Sequence, residues 1–401
     1  MATPVPLRRN RNFVLLWSGE LASALGSGAT SVAFPLLVLA LTGSPVKAGI
    51  VGFASTLPPV LAYLPLGVLV DRSDRRRVML VSGVINAVAL GSIPLAIALD
   101  ALTFGQVVAV AAIAGVTAAA HRLAEQAAIP LVVAPGQVRE ALARNELRRT
   151  GADLAGPALG GALFGVGRFV PFLFDALSYL ALAVSVLFLR GPLQEPRAER
   201  TGTTWRAELR EGFGFMWRND FLRAAAIALA AANLIFGGID VVLIVRVRDH
   251  GASAAAVGVM FLIWGIGGFA GALAAPRAIA RIPNALIIAG AFWFEAAAMI
   301  LMTASHSPYV LGVIAMLASV TAPAWNAVVI GAKLEMTPDH LQARVGSAVR
   351  MFSGAAVPLG ALAGGALVSG AGSTTALLVF GGWQAAVAAA SSVTLARRVP
   401  A

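Results

Sequence analysis

Runs of about 20 apolar residues recur along the whole of this 401-residue chain, more than a water-soluble fold can hide. They fall at about 13–42, 46–70, 78–99, 103–125, 150–167 and 170–189 in the first half. In the second half they fall at about 221–245, 254–275, 283–303, 308–332, 346–369 and 374–395. A helix rises 1.5 Å per residue, so each run can cross a hydrocarbon core of roughly 30 Å. The expected fold is therefore an all-α membrane protein with twelve transmembrane helices. The chain is 58% hydrophobic and only 12% charged, against about 25% charged in soluble domains. Its 42 glycines fall mostly inside the runs, where small residues let neighbouring helices approach closely.

Several functions are excluded by what the sequence lacks. It has no cysteine, so no disulfide framework and no thiolate chemistry. Its four histidines, His121, His250, His306 and His340, are scattered, and no metal site or cofactor is expected. The glycine cluster Gly265–Gly268 lies inside an apolar run with no lysine after it, so no phosphate loop is present. No filter-like segment interrupts the runs, which argues against a channel. The formal charge of +11 would suggest nucleic acid in a soluble protein, but here topology accounts for it and no nucleic-acid partner is expected.

Placing the basic segment Met1–Arg11 in the cytoplasm, with no small-residue cleavage site after it, sorts the positive charges by side. Of the 30 Lys and Arg, all but Lys47, Arg168, Arg246 and Arg248 then fall on the cytoplasmic side. An even number of spans follows, with both termini cytoplasmic. Two Lys among many Arg, Ala and Gly indicate a GC-rich bacterial genome and hence a bacterial cytoplasmic (inner) membrane.

The longest polar stretch, Arg190 to about Asp220, lies near the midpoint and reads as a linker with a short surface helix. The expected division is a six-helix bundle over 1–190, a cytoplasmic linker over 191–219 and a second bundle over 220–401. The two halves repeat one another. Gly67-x-Leu69…Arg77 recurs as Gly271-x-Leu273…Arg281, and Pro135 recurs as Pro338. Pro157 recurs as Pro358, with Gly364-Gly365 in place of Gly160-Gly161. Halves with an even number of spans enter from the same side, and a path between them is expected.

The turn between runs two and three reads Gly67-x-Leu69-x-Asp71-Arg72-x-Asp74-Arg75-Arg76-Arg77. This motif at this place, together with the half-repeat, resembles the major facilitator superfamily over essentially the whole chain. Three further features are similar to the macrolide-efflux and siderophore-exporter branch of the drug:proton antiporters. They are Leu16-Trp17…Gly26, Pro130…Asn145 leading to Gly156-Pro157-x-x-Gly160-Gly161, and Phe174–Tyr179. The resemblance implies alternating access in two pseudo-symmetric bundles, with Gly67, Asp71, Arg72, Asp74, Arg75, Arg76 and Arg77 as a conformational latch. The second half carries Ala275-Pro276-Arg277 at the equivalent place, without the acid. Gly156, Pro157, Gly160 and Gly161 are expected to allow close helix packing.

Carboxylates inside apolar runs are costly and should face a cavity or a partner. Glu20, two turns into the first run with no sequence neighbour to pair with, is the first candidate for a proton-coupling or cation site. Asp240, Asp153 and Asp175 follow. Asp240 has a rival reading as a bridge to Arg246 or Arg248, and Asp175 as a partner of Arg168. Glu295 is a weaker candidate. Arg122 and Glu125, three apart, are expected as a gate or interface pair. Trp17, Asn233, Trp264 and Asn326 are candidates for a substrate cavity suited to bulky amphipathic molecules.

The expected function is proton-coupled export of small amphipathic compounds, with protons and membrane lipids as the other partners and a monomer as the working unit. Rival readings are a dedicated siderophore exporter, a transporter of lipid-like substrates, and a receptor or scaffold that does not transport.

Overall fold

The computed structural model describes residues 5–194 and 205–394. The middle of the expected linker, 195–204, and the basic residues Arg397 and Arg398 lie outside the described residues. Every extended element among the described residues is helical.

The first half holds α1 (Arg11–Thr42), α2 (Pro45–Arg72), α3 (Arg75–Ala98), α4 (Phe104–Val132), α5 (Val138–Val166) and α6 (Val170–Leu187). The second holds α7 (Trp205–Arg218), α8 (Asp220–Arg248), α9 (Ala254–Ile279), α10 (Asn284–Met302), α11 (Pro308–Ser319), α12 (Ala322–Met336), α13 (Gln342–Gly354) and α14 (Ala356–Thr394). Twelve spans result once the second half is read by its breaks. Pro323 sits in the first turn of α12 and splits span ten into α11 and α12. Gly372, at φ +80°, folds α14 back into two spans. The fifth span is a single helix that starts at Val138, well before the apolar run at 150, so the polar stretch over 138–149 is its first turns.

Two compact units divide the chain, Met1–Leu41 with Ala54–Glu199, and Thr42–Phe53 with Arg200–Ala401. The end of the expected linker differs from expectation. α7 belongs to the second unit, where Met216 is fully buried among Phe221, Leu222 and Val345. Arg344 binds Glu211 and lies 3.7 Å from Glu208, fastening α7 to α13.

In each unit glycines let helices cross at close range. In the first, a Cβ on Gly156 would lie 2.6 Å from the Gly28 Cα, and one on Gly160 would lie 2.7 Å from the Ala29 Cα. α1 and α5 therefore touch backbone to backbone, as a small-residue crossing in lipid allows. Pro157 sits inside that stretch of α5, and Gly161 is buried. In the second unit, a Cβ on Gly364 would lie 2.8 Å from the Gly238 Cα, placing α8 against α14 in the same way.

Asp74, Arg75 and Arg76 of the charged turn after α2 bond within the first unit. Asp74 caps α3 by accepting from the Arg76 amide at 2.9 Å. Arg76 donates to the Leu189 and Gly191 carbonyls just past α6, at 2.8 and 3.0 Å. Arg75 donates to the Ala127 carbonyl of α4 at 2.8 Å. Cations on exposed helix-end carbonyls offset the negative end of the dipole. Gly67 has open space around it.

At the other end of the second unit, Arg246 is fully buried and ties the α10–α11 loop to the break in α14. It donates to the Ser305 carbonyl at 2.7 Å, the Thr303 carbonyl at 2.5 Å and the Thr374 hydroxyl at 2.9 Å.

Candidate functional site

One face of α1 carries Leu16, Glu20, Ser23 and Thr30, spaced three, four and seven apart, and all four are buried. A helix in lipid buries polar side chains only against polar partners. Thr30 donates to Asp175 Oδ2 of α6 at 2.7 Å, and Ser27 lies 3.0 Å from the Tyr179 hydroxyl. Asp175 also accepts from Ser178 at 3.3 Å. The rival reading of Asp175 as a partner of Arg168 is corrected by this, because α6 turns the acid inward onto α1.

Glu20 stands at the centre of a buried charged cluster. Its Oε1 lies 2.5 Å from His121 Nε2 on α4, and its Oε2 lies 3.7 Å from Arg148 on α5. Arg148 in turn binds Glu125 Oε1 of α4 at 2.8 Å. Asn145 Nδ2 donates to the same oxygen at 2.8 Å, and Arg148 Nε donates to Asn145 Oδ1 at 3.0 Å. His121 Nδ1 faces the Met79 carbonyl of α3 at 3.3 Å. His121 and Glu125 are four apart on α4, and Asn145 and Arg148 three apart on α5, so each helix presents two members on one face.

The expected Arg122–Glu125 pair is corrected too. Arg122 is exposed while Glu125 is only 4% exposed. Arg148, arriving from another helix, donates one hydrogen bond to the carboxylate, and Asn145 of the same helix donates a second. His121, Asn145 and Arg148 were not singled out as site residues from the sequence. The usable signal was the i, i+4 spacing of His121 with Glu125, and of Arg144 and Arg148 on the fifth span. Asp153 is exposed and binds Arg149 at 3.0 Å. Asp240 is exposed. Its rival reading as a bridge fails, because Arg246 is spent on the loops and Arg248 donates to the Ala252 carbonyl at 2.7 Å.

Residues of α8, α9, α10, α11, α12 and α14 in the second unit line a half-open cavity of about 340 Å³. Asn233, Trp264 and Asn326 are among the residues that line it, and Trp17 is not. Trp17 instead donates to the Arg144 carbonyl at 3.3 Å in the first unit. Glu295 and Gln384 also line the cavity, and Gln384 Nε2 donates to Glu295 Oε2 at 2.5 Å. The break between α11 and α12 opens onto the same wall, where Ser319 donates to the Trp264 carbonyl at 3.0 Å. No group of three or more His, Asp or Glu side chains among the described residues could hold a metal ion.

Twelve spans in two repeated bundles, with buried Glu20, Glu125 and Asp175 in the first, define a secondary transporter of the major facilitator type. The solved structures agree on the fold. The nucleoside transporter NupG superposes with a TM-score of 0.77 at 15% identity, covering 96% of this chain and 99% of its own. A bacterial homolog to the human lysosomal transporter Spinster gives 0.75 at 16% identity, covering 98% of each. The family model for transmembrane secretion effectors matches residues 2–401, and the chain belongs to that family. Among relatives, multidrug efflux pump Tap of Mycolicibacterium fortuitum is 28% identical over 90% of each chain. Tap of Mycobacterium tuberculosis is 27% identical over 91% of this chain and 89% of the relative. Macrolide efflux protein A of Streptococcus pyogenes is 24% identical over 53% of each.

Proposed function

We propose that this protein is a proton-coupled exporter of small amphipathic compounds, drugs among them, and that its coupling proton sits between Glu20 and His121. The efflux pumps to which it is similar over nine-tenths of their length support the export reading. The single observation that carries the proton site is the 2.5 Å contact of Glu20 Oε1 with His121 Nε2.

That contact needs a proton. His121 Nδ1 faces a carbonyl, which only accepts, so the ring hydrogen sits on Nδ1. Nε2 then meets a carboxylate oxygen, and two acceptors cannot share a hydrogen bond unless one of them holds a further hydrogen. Either Glu20 is protonated or His121 is an imidazolium, and both states hold the same one proton. Charge balance agrees. With that proton, the two carboxylates Glu20 and Glu125 are matched by one proton and Arg148. Without it, the cluster carries one uncompensated negative charge in a buried site, and Arg148 is the cation placed to lean from Glu125 toward Glu20. Proton release is thus tied to a rearrangement of α1, α4 and α5.

The working unit is a monomer in a bacterial cytoplasmic membrane with both termini inside, because the positive charges cluster on that side. The charged turn with Asp71 and Arg72 acts as a latch at the cytoplasmic end. The test is extrusion of a dye or drug panel by the purified protein in liposomes under an imposed pH gradient, wild type against Glu20→Gln. Gradient-driven export that disappears in the variant is the expected result. Coupling that survives in the variant overturns the proton site. The absence of any gradient dependence across the panel overturns the drug-export reading and favours a dedicated substrate such as a siderophore or a lipid.

A further inference from the structure

Two buried residues that line the cavity of the second unit carry polar atoms left unpaired among the described residues. Gln384 is 1% exposed and Trp325 is 6% exposed. Gln384 gives its amide hydrogen to Glu295, but its Oε1 has no hydrogen-bond partner among the described residues. Trp325 Nε1–H likewise has none. A buried donor or acceptor left unpaired costs free energy, and such groups in native proteins call for a specific account. Both residues line the cavity into which Glu295 also faces.

The rest of the wall is apolar and soft. Phe236 and Trp264 supply ring faces, and Met299 and Met302 supply adaptable thioethers. A largely apolar pocket with a few convergent polar groups is the usual form of a small-molecule site. The polar groups here specify the ligand in some detail. A carboxylate and an amide oxygen both accept, so the ligand must donate, and a positive donor also answers the charge of Glu295. Trp325 Nε1 donates only, so the ligand must carry an acceptor as well. The ring faces favour a flat aromatic body and attract a cation beside it.

We infer that this half-open cavity, lined by residues of the second unit, binds an aromatic amino alcohol cation, its ammonium on Glu295 and Gln384 and its oxygen on Trp325. The inference rests on the export reading only for its biological use, since the site is defined by a binding equilibrium that needs no transport. The break between α11 and α12 contributes Trp325 and Asn326 to one wall, and irregular backbone at membrane depth is tolerated where it lines such a cavity.

Equilibrium binding of radiolabelled propranolol to the full chain in lipid nanodiscs, at neutral pH with no gradient, tests this. Propranolol carries a naphthyl ring, a hydroxyl and a secondary ammonium. Saturable binding is expected, weakened at least tenfold by Glu295→Gln and severalfold by Trp325→Phe. Trp293→Phe, outside the cavity, should leave it unchanged. The neutral analogue with the amine replaced by hydroxyl should bind at least tenfold more weakly to the wild type and be indifferent to Glu295→Gln. Thermal unfolding of each variant separates loss of the site from loss of the fold, and Gln384→Glu, which adds a second carboxylate, should hold the cation at least as well. Binding that is equal in wild type and Glu295→Gln, or equal for amine and neutral analogue, overturns the inference. Failure of the liposome assay with binding intact would instead reject export and leave the site standing.

Discussion

Glu20 Oε1 and His121 Nε2 lie 2.5 Å apart, although 101 residues separate them in the chain. α1 and α4 meet there with a carboxylate on one and an imidazole on the other, closed in by Arg148 from α5. Replacing His121 by Gln keeps a polar side chain but removes the ring that shares the proton. Gradient-driven export by His121→Gln should fall at least roughly tenfold, since one charge-assisted hydrogen bond is worth about 1.5–3 kcal/mol. Counterflow exchange without a gradient should fall much less. Liposome transport in both modes measures the split, and equal losses would make His121 a packing residue only.

Arg148 binds Glu125 in a site where both are nearly fully buried. Removing one partner strands the other charge. Arg148→Met should destabilise the protein by about 3–5 kcal/mol, and the double variant Arg148→Met with Glu125→Gln should recover part of that loss. Thermal unfolding of the four proteins in one detergent provides the cycle. An additive double variant would mean that the pair is not coupled.

The α1–α5 crossing leaves no room for a side chain. Gly156→Ala sets a methyl group against the Gly28 backbone, and helices in contact cannot both yield. A loss of about 1–3 kcal/mol is expected, with Gly156→Leu failing to accumulate in the membrane. Gly290→Ala on α10, where a Cβ meets open space, is the matched control and should be tolerated. Expression level and thermal midpoint distinguish them.

The loops at the Arg246 end of the second unit should respond to acid. The His250 and His306 rings stack with centroids 3.7 Å apart. His306 is held below the usual imidazole value, first by desolvation and then by the charges of Arg246 and His250. A base that binds its proton less well in the folded state stabilises the fold above its unfolded value of 6.5, and that contribution is lost as the pH falls below it. The thermal midpoint of the wild type should therefore drop more than that of His306→Gln between about pH 7.5 and 5.5. Parallel drops would mean that other groups govern the acid limb.

Much of the architecture was legible without coordinates. Each apolar run had to become a helix, because backbone groups in hydrocarbon must pair within their own segment. Glu20, Asn233, Trp264 and Asn326 were recognisable because a polar or indole side chain amid apolar residues needs a partner or a cavity. Span five was legible only in part. Its first three turns are charged, and hydropathy alone starts the run at 150 instead of Val138.

The sequence by itself determined the twelve spans, their grouping in repeated halves and the glycines that had to meet something. Those follow from one-dimensional quantities: run length, charge count and spacing along a single helix. Only the tertiary structure decided which partner each buried charge took. Arg148 rather than Arg122 reached Glu125, Thr30 rather than Arg168 reached Asp175, and Trp17 took the Arg144 carbonyl. The reason is that a buried charge is satisfied by whichever helix packs against it, and the rotation of that helix is set by its close contacts, such as Gly28 on Gly156 and Gly238 on Gly364.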